Sequence, residues 1–301
     1  MGISQYIKEI GRGKDGARAL DRAQAADLLG QVLDGTVTDL EIGGFCLAMR
    51  IKGETPTEMA GFLDAIGARI AKVPDAGHPT VVLPSYNGAR KLPLLTPLLA
   101  LLLAQRGLAV LIHGTVTEAS RVAIADVLQA LDIAPMSRIQ AVARASVAFA
   151  PTELLCPGLK RLLDVRKAVG LRNPAHSLVK VMAPCAGPAL VVGSYTHPEY
   201  AISMAETFAL LGATAMLLRG TEGEVVADAR RMPQMEAFVR GERRLLQEAQ
   251  AGTLATVPDL PREIDARSTA TYIRAVLAGQ APVPPSIARQ VELIEELTEE
   301  L

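Results

Sequence analysis

The sequence has few aromatic residues and no excess of charge of either sign. Aromatic side chains make up 3% of its 301 residues, and tryptophan is absent. This scarcity argues against a protein that binds nucleic acid by stacking bases on rows of aromatic rings. The formal net charge is -1, from 31 basic and 32 acidic side chains. Binding to a polyanion would therefore depend on a locally basic surface that contacts phosphates.

Cysteines and long apolar segments are also scarce. The sequence has 3 cysteines without a C-x-x-C pair, and its 4 histidines lack the spacing of metal ligands. We therefore predict neither a disulfide framework nor a metal site, and we expect a reducing, cytoplasmic setting. The most apolar window, residues 92–105, is shorter than the roughly 18–20 residues that cross a bilayer, so no membrane partner is expected.

The first part of the chain has the apolar period of helices. From residue 4 to about residue 73, apolar side chains recur at three- and four-residue steps. Asp34-Gly35 should end one of these helices, and Thr38 and Thr55 should cap the next two. We therefore predict an all-helical domain over residues 1–73.

A different pattern occupies residues 74–301. Short apolar runs at 80–83, 109–112, 189–192 and 215–218 alternate with helical patterns at 96–105, 120–131, 161–169 and 198–211. This alternation is typical of an α/β domain in which helices cover a mainly parallel sheet. A loop over 252–261 and a terminal helix over 286–301 complete the predicted domain.

Several motifs, in the same order along the chain, resemble those of one known superfamily. They are IGGFCLAMRIKGETPTEMAG at 42–61, HG at 113–114, VRKAVGLRN at 165–173 and VGSY at 192–195. The chain closely resembles the anthranilate phosphoribosyltransferase and pyrimidine nucleoside phosphorylase superfamily, which has the glycosyltransferase family 3 fold. The resemblance implies a small helical domain hinged to a larger α/β domain, with a hinge segment at about 150–185 that packs with the helical domain. It also implies homodimers made through the helical domains.

The resemblance breaks down where the enzymes of that family bind their substrates. Their Gly-rich loop, which binds pyrophosphate through backbone N–H groups, corresponds here to a segment in which only Gly88 remains. A Lys-His-Gly-Asn-Arg run that binds phosphate is reduced to His113 and Gly114. The Asp-Glu pair that binds magnesium falls on Val225 and Val226. We therefore predict no catalytic residue, cofactor or metal ion, although enzymatic activity stays an open alternative.

Basic residues cluster in three segments. Between residues 138 and 180 the only acidic side chains are Glu153 and Asp164, among many lysines and arginines. Two further clusters lie at 11–18 and among the arginines of 219–244. For any one cluster a solvated helix face is the ordinary explanation. Together with the lost catalytic motifs, the clusters resemble the branch of the superfamily that binds DNA or RNA without sequence preference, through basic grooves on a homodimer.

The resulting hypothesis assigns phosphate contacts to a set of basic side chains. They are Lys14, Arg90, Lys91, His113, Arg166, Lys167, Arg172, Arg230 and Arg231. Arg166 matches the arginine that contacts the substrate carboxylate in the family, but it could equally support the hinge by pairing with a helix end. Two functions stay open. One is nucleic-acid binding by a homodimer with a degenerate transferase site, and the other is a phosphoribosyltransferase or glycosyltransferase with an altered substrate.

Overall fold

The chain begins with a helical unit, as its apolar period predicts. The computed structural model describes residues 2–13, 15–253 and 258–301. The helices of the unit are α1 (Ser4–Ile10), α2 (Arg22–Asp34), α3 (Asp39–Lys52) and α4 (Pro56–Gly67). Lys14, between α1 and α2, lies outside the described residues.

Local signals fix the start of α3 and α4. Thr38 caps α3 and Thr55 caps α4, each by accepting a hydrogen bond from the backbone N–H three residues later, so both predicted caps are confirmed. The Glu58 carboxylate is fully buried and accepts hydrogen bonds from the backbone N–H of Leu20 (2.9 Å) and from Lys52 Nζ (2.7 Å). These contacts join the start of α4 to the end of α3 and to the segment before α2.

The rest of the described chain is an α/β domain around a seven-stranded sheet. The strands are β1 (Thr80–Ser85), β2 (Ala109–Gly114), β3 (Ser146–Pro151), β4 (Ala189–Tyr195), β5 (Ala215–Arg219), β6 (Met235–Val239) and β7 (Glu242–Gln247). Their order across the sheet is β3-β2-β1-β4-β5-β6-β7. Strands β1 to β5 pair in parallel, whereas β6 and β7 pair antiparallel. The predicted fold class is therefore confirmed.

Helices and the helical domain cover the two faces of this sheet. The helices are α5 (Thr96–Gln105), α6 (Ile124–Ala130), α7 (Thr152–Leu155), α8 (Pro157–Val169), α9 (Ala175–Leu178), α10 (Pro198–Leu210), α11 (Ala266–Leu277) and α12 (Pro285–Thr298). Alternate residues of β1 belong to different cores, because side chains of a strand alternate between its faces. Val82 packs in the core that includes Phe45 of α3, while Val81 and Leu83 pack in the core that includes α5 and α12.

The segment between β3 and β4 joins the two domains. Helix α8 packs on α2 and α3, and α9 packs on α4. Helix α10, which follows β4, also packs on α4. This packing encloses a cleft between α3, α4, the segment around α9 and the start of α10.

Three strands lie outside the predicted ones, namely β3, β6 and β7. Strand β7 contains Arg243 and Arg244 from the third basic cluster, and they pair with Glu236 (2.7 Å) and Glu300 (2.6 Å), respectively.

The predicted loop over 252–261 includes residues 254–257, which lie outside the described residues. Within the described ranges, no helix is long and apolar enough to cross a membrane.

Candidate nucleic-acid interface

The candidate site lies where the strand order of the sheet reverses. Strand β1 pairs with β2 on one side and with β4 on the other. Ligands of open α/β sheets bind at such a switch point, beyond the carboxyl ends of the strands. Three connections meet there: residues 86–92 after β1, residues 196–197 after β4 and residues 220–224 after β5.

The loop after β1 binds an anion, but the anion is a side chain of the protein itself. The Glu224 carboxylate accepts hydrogen bonds from the backbone N–H groups of Asn87 and Gly88, both at 2.8 Å. Its second oxygen accepts hydrogen bonds from the hydroxyls of Ser85 and Thr96. Glu224 is 2% exposed, so water does not compete for these donors. The backbone N–H groups at the place of the family's pyrophosphate loop are therefore already bound by a carboxylate.

A second carboxylate binds the next part of the same loop. Glu222 accepts hydrogen bonds from the backbone N–H groups of Arg90 (2.8 Å), Lys91 (3.1 Å) and Leu92 (3.3 Å). Burial raises the pKa of Glu222, but these donors outweigh burial and hold the pKa below its ordinary value. The Glu222 backbone is left-handed, with φ 53°, which is uncommon for a residue other than glycine. We attribute the persistence of this strained backbone to the three hydrogen bonds.

Two glycines let the connections approach each other this closely. A Cβ at Gly223 would lie 1.8 Å from Asn87 Nδ2, and a Cβ at Gly88 would lie 2.5 Å from the carbonyl oxygen of Val122. Both glycines have positive φ, 86° and 67° respectively. A larger residue at either position would push the loop away from the carboxylates.

The magnesium site of the family has no counterpart among the described residues. Val225 and Val226, on which the metal-binding pair falls, are 0% and 1% exposed and lie in the hydrophobic core. Across residues 2–13, 15–253 and 258–301, no His, Cys, Asp or Glu side chains form a group of three or more that could hold a metal ion. Glu222 and Glu224 are both bound by N–H or hydroxyl donors instead. The residues present do not fit a divalent cation.

Arginines with too few acidic partners lie beside this loop. Glu118 pairs with both Arg121 (3.3 Å) and Arg166 (3.2 Å). Arg172 lies near both arginines, but its guanidinium has no hydrogen bond or salt bridge to any described residue. Burial lowers the pKa of Arg172, and the charges of Arg166 and Arg121 lower it further. Because these positive charges destabilise one another, an external anion would stabilise the group.

The cleft is a cavity of about 480 Å³ between the helical domain and the α/β domain, and Arg172 lies on its wall. Arg172, His176 and Lys180 line it from the segment around α9. Tyr195 and Tyr200 line it from the end of β4 and from α10. The cavity therefore combines cationic with aromatic side chains.

The predicted phosphate contacts nearest the loop and hinge differ in how accessible they are. Arg90 and Lys91 are exposed, and neither side chain makes a salt bridge to a described residue. Lys167 is also exposed, but it pairs with Asp164 at 2.8 Å. Arg166 is half-buried and, besides pairing with Glu118, donates to the Thr117 carbonyl at 3.3 Å. Arg166 thus joins the hinge segment to the loop after β2.

Arg230 and Arg231 already have partners within the protein. Arg230 donates two hydrogen bonds to Asp228, at 2.8 and 3.0 Å. Arg231 donates to the carbonyls of Gln250 (3.4 Å) and Gly252 (2.9 Å). These two arginines are therefore less available to an external phosphate than Arg90 and Lys91.

The structure overturns the prediction for His113. This side chain is 0% exposed, and its Nδ1 lies 2.8 Å from the hydroxyl of Tyr86. Burial lowers the pKa of His113 to about 3, so the imidazole is neutral at pH 7. A buried, neutral side chain cannot contact a phosphate outside the protein, and the assignment of His113 to the interface is wrong.

Three residues that define the site escape prediction from the sequence: Arg121, Glu222 and Glu224. Arg121 lies outside the basic cluster at 138–180. The two glutamates stand in the run EGE at 222–224, which is the only local signal for them. Nothing in that run shows that Glu224 reaches Asn87, which lies 137 positions earlier.

The fold of this chain is similar to that of solved anthranilate phosphoribosyltransferases. Residues 4–69 match the family described as a glycosyl transferase family, helical bundle domain. The anthranilate phosphoribosyltransferase of Thermus thermophilus superposes with a TM-score of 0.74 at 21% identity, over 98% of this chain and 87% of that one. The enzyme from Saccharomyces cerevisiae in complex with PRPP and Mg gives a TM-score of 0.72 at 13% identity, over 99% and 88%. The chain thus has the anthranilate phosphoribosyltransferase-like, glycosyltransferase family 3 fold.

Two relatives match nearly the whole chain in sequence. The uncharacterized protein YbiB of Escherichia coli (strain K12) is 42% identical over 298 residues, covering 97% of this chain and 92% of YbiB. The anthranilate phosphoribosyltransferase of Salinispora arenicola (strain CNS-205) is 29% identical over 320 residues, covering 99% of this chain and 88% of that enzyme. The chain therefore belongs to the family of YbiB.

Proposed function

We propose that this protein binds the phosphate backbone of DNA or RNA without sequence preference and does not transfer phosphoribosyl groups. The observation that carries the proposal is the Glu224 carboxylate on the backbone N–H groups of Asn87 and Gly88. A carboxylate in that place repels pyrophosphate and occupies the donors that would bind it. The arginines around Arg172, in contrast, stay available to an anion that approaches from solvent.

The proposed interface consists of cations around the mouth of the cleft: Arg90, Lys91, Arg121, Arg166 and Arg172. Arg121 donates to the Gly88 carbonyl at 3.3 Å, which places it beside the loop after β1. Contacts from such side chains to phosphates position a nucleic acid without reading its bases. Arg121 and Arg166 share the one carboxylate of Glu118 and stay in the proposed interface. Lys167 and Arg230 pair with Asp164 and Asp228, and Arg231 donates to two carbonyls, so these three are assigned a secondary part.

We further propose that two copies associate through α3 and extend the basic surface. Leu40, Leu47 and Ile51 are 87%, 44% and 72% exposed, and their spacing places them on one face of the helix. A Cβ at Gly43 would meet nothing within 4 Å, which leaves room for a partner helix. An apolar cavity of about 250 Å³, lined in part by Ile7 and Ile51, adjoins this face. A contiguous exposed apolar surface of this kind is typical of protein interfaces.

Mobility-shift titrations at increasing salt test the backbone proposal. Oligonucleotides of unrelated sequence should all shift at low salt, with similar Kd. The logarithm of the binding constant should fall with the logarithm of salt concentration, at a slope of about -0.9 per phosphate neutralised on duplex DNA. If no oligonucleotide shifts at low salt, the proposal is refuted.

A second candidate function is a phosphoribosyltransferase or related glycosyltransferase with an altered substrate. The observation that favours it is the 29% identity, over 99% of this chain, to an enzyme named anthranilate phosphoribosyltransferase. The relatives thus favour transfer, whereas the filled loop and the two buried valines argue against transfer. Calorimetry with phosphoribosyl pyrophosphate and Mg²⁺ distinguishes them. Binding together with Mg²⁺-dependent turnover by the pure protein would establish the second candidate.

A further inference from the structure

A row of two cationic side chains and one neutral imidazole lies in the 480 Å³ cavity. Arg172, His176 and Lys180 follow one another at four-residue steps, and all three line the cavity. Helix α9 contains His176, and Arg172 and Lys180 lie before and after this helix. The segment around α9 therefore contributes three nitrogen-bearing side chains to the cavity lining.

These side chains have few partners inside the protein. Lys180 Nζ donates one hydrogen bond, to the Gly223 carbonyl at 3.0 Å, although an ammonium group has further N–H donors. His176 is 8% exposed, and within the described chain its Nε2 has no hydrogen-bond partner. Arg172 has none to a described residue either. His176 is buried, and buried polar groups are nearly always satisfied. Arg172 and Lys180 are half-buried and direct unused N–H donors to the same cavity, so the cluster points to an external ligand.

The charges of the row are also poorly compensated. Burial lowers the pKa of His176 to about 4, and the charge of Arg172 contributes to the shift. Burial is likewise the main reason that the pKa of Lys180 falls to about 8, and the charge of Glu224 offsets only part of this effect. The acidic residues that line the cavity are Glu54 and Glu199, and burial raises the pKa of Glu54. The protein therefore compensates the positive charge of Arg172 and Lys180 only in part.

Other residues that line the cavity are apolar or aromatic. Met49 and Met59 reach it from α3 and α4, and Met204 reaches it from α10. Tyr195 and Tyr200 add aromatic rings to the lining. Thioethers and tyrosine rings both pack well against flat ring systems. A ligand that suits the whole cavity would carry a strongly anionic group and a flat ring.

We propose that the cavity binds a single nucleotide as a phosphate monoester, with the phosphate on Arg172, His176 and Lys180 and the base against the methionines and tyrosines. A phosphate monoester carries about −1.5 to −2 charges at pH 7, which suits three donors better than the single charge of a carboxylate or a phosphodiester. The cavity volume lies within the range of about 300–1,000 Å³ that is usual for small-molecule sites. The nucleotide is either free or the phosphorylated end of a strand, and only in the second case does the inference rest on the proposed function.

Titration calorimetry tests this inference with 5′-dAMP, deoxyadenosine, inorganic phosphate and anthranilate as probes. 5′-dAMP should bind at least about tenfold more tightly than deoxyadenosine, which lacks the phosphate. Lys180→Ala should weaken 5′-dAMP binding by about 10- to 100-fold, and Lys180→Arg, which keeps the charge, should recover part of the loss. Lys8→Ala, at an exposed position of α1, should change nothing. Thermal unfolding of each variant separates a loss of binding from a loss of folding.

Matched oligonucleotides distinguish the two sources of the nucleotide. If the protein binds strand ends, a 5′-phosphorylated strand should bind more tightly than its 5′-hydroxyl counterpart, and Lys180→Ala should remove the difference. Equal affinities of the two strands, with 5′-dAMP bound, assign the site to a free nucleotide. Binding of the unphosphorylated strand reports on the proposed function independently. The inference is overturned if 5′-dAMP does not bind, whether or not anthranilate binds in its place. It is also overturned if inorganic phosphate binds as tightly as 5′-dAMP.

Discussion

The Glu224 carboxylate lies 2.8 Å from the backbone nitrogen of Gly88 and accepts a hydrogen bond from it. Gly88 is the position of the family's Gly-rich phosphate loop that the sequence retains. The enzymes use the N–H groups of this loop to bind the anion of a substrate. In this protein, the N–H group of Gly88 is bound by a carboxylate of the protein itself. The contact converts part of a substrate loop into part of the folded framework.

Replacement of this carboxylate should destabilise the protein. Glu224→Ala should lower the free energy of unfolding by roughly 2–4 kcal/mol, because an unsatisfied buried donor costs about 1–3 kcal/mol and several donors lose their acceptor. Glu224→Gln, which keeps the shape, should cost less. Urea unfolding measures both changes, with Glu206→Gln at an exposed position of α10 as the control. A loss below about 1 kcal/mol for Glu224→Ala would contradict the structural part assigned to this residue.

Without the Glu224 carboxylate, the loop after β1 should bind an external anion. Inorganic phosphate should raise the unfolding temperature of Glu224→Ala more than that of the unsubstituted protein, because a ligand stabilises the state that binds it. Differential scanning fluorimetry across a phosphate series measures this effect, and sodium chloride at matched ionic strength serves as the control. Equal shifts for the two proteins would show that the loop does not bind anions without Glu224.

The arginines of the cleft should dominate binding to nucleic acid. The double change Arg166→Ala and Arg172→Ala should weaken binding to every sequence about equally, and it should flatten the salt slope by about 0.9 per lost contact to duplex phosphate. Arg289→Ala is the matched control, since Arg289 already pairs with Glu292 at 2.9 Å and with Glu296 at 3.7 Å. If both changes cause equal losses in mobility-shift titrations, binding is spread over the surface and the cleft has no special part.

A charge on the exposed face of α3 should prevent dimer formation. Ile51→Glu places a carboxylate on a side chain that is 72% exposed in the isolated chain, at the C-terminal end of the proposed contact. Light scattering at micromolar concentration should show a dimer for the unsubstituted protein and a monomer for the variant. Ile202→Glu, on α10 and 63% exposed, should leave the dimer intact. A monomeric unsubstituted protein would remove the proposed interface.

Two buried histidines should make the protein sensitive to acid. The pKa of His113 falls to about 3 through burial, and that of His176 to about 4 through burial and Arg172, both from an ordinary value of 6.5. Between these values and pH 6.5 the unfolded chain binds more protons than the folded one. The free energy of unfolding should therefore be highest above pH 6.5 and should fall as the pH is lowered, by up to about 1.4 kcal/mol per pH unit for each histidine.

Single substitutions separate the two contributions. His113→Asn and His176→Asn should each flatten this decline, whereas His197→Asn, at an exposed position, should not. Guanidinium unfolding at several pH values between 7 and 4 provides the measurement. If the pH profile of His113→Asn matches that of the unsubstituted protein, His113 does not contribute to the acid sensitivity.

The parts of the fold that depend on local signals can be predicted from the sequence. Thr38 and Thr55 are followed three residues later by Glu41 and Glu58, and these capping boxes place the starts of α3 and α4. The apolar runs of β1, β2, β4 and β5 are visible because these strands are buried among parallel neighbours. Strands β6 and β7 are not visible, since Glu236 and Arg243 interrupt their apolar residues and pair with each other across the two strands.

The site is less predictable because its key contacts join distant parts of the chain. Arg166 and Arg172 stand out in a long segment with few acidic residues, and the structure brings these two together. The place of Glu224 depends on how β5 lies relative to β1, which no pattern in either segment specifies. His113 looks accessible in the sequence because it ends a strand, but Tyr86 and the surrounding core cover it.

The carboxylates that fill the loop after β1 also restrict how this sequence can change. The folded state satisfies these N–H groups with Glu222 and Glu224 and needs no ligand to do so. A loop with free N–H groups would require loss of both carboxylates, and a metal-binding pair would require new acids at Val225 and Val226, which lie in the core. Each of these changes alone would yield a less stable protein. Selection for stability therefore keeps these carboxylates and valines in place.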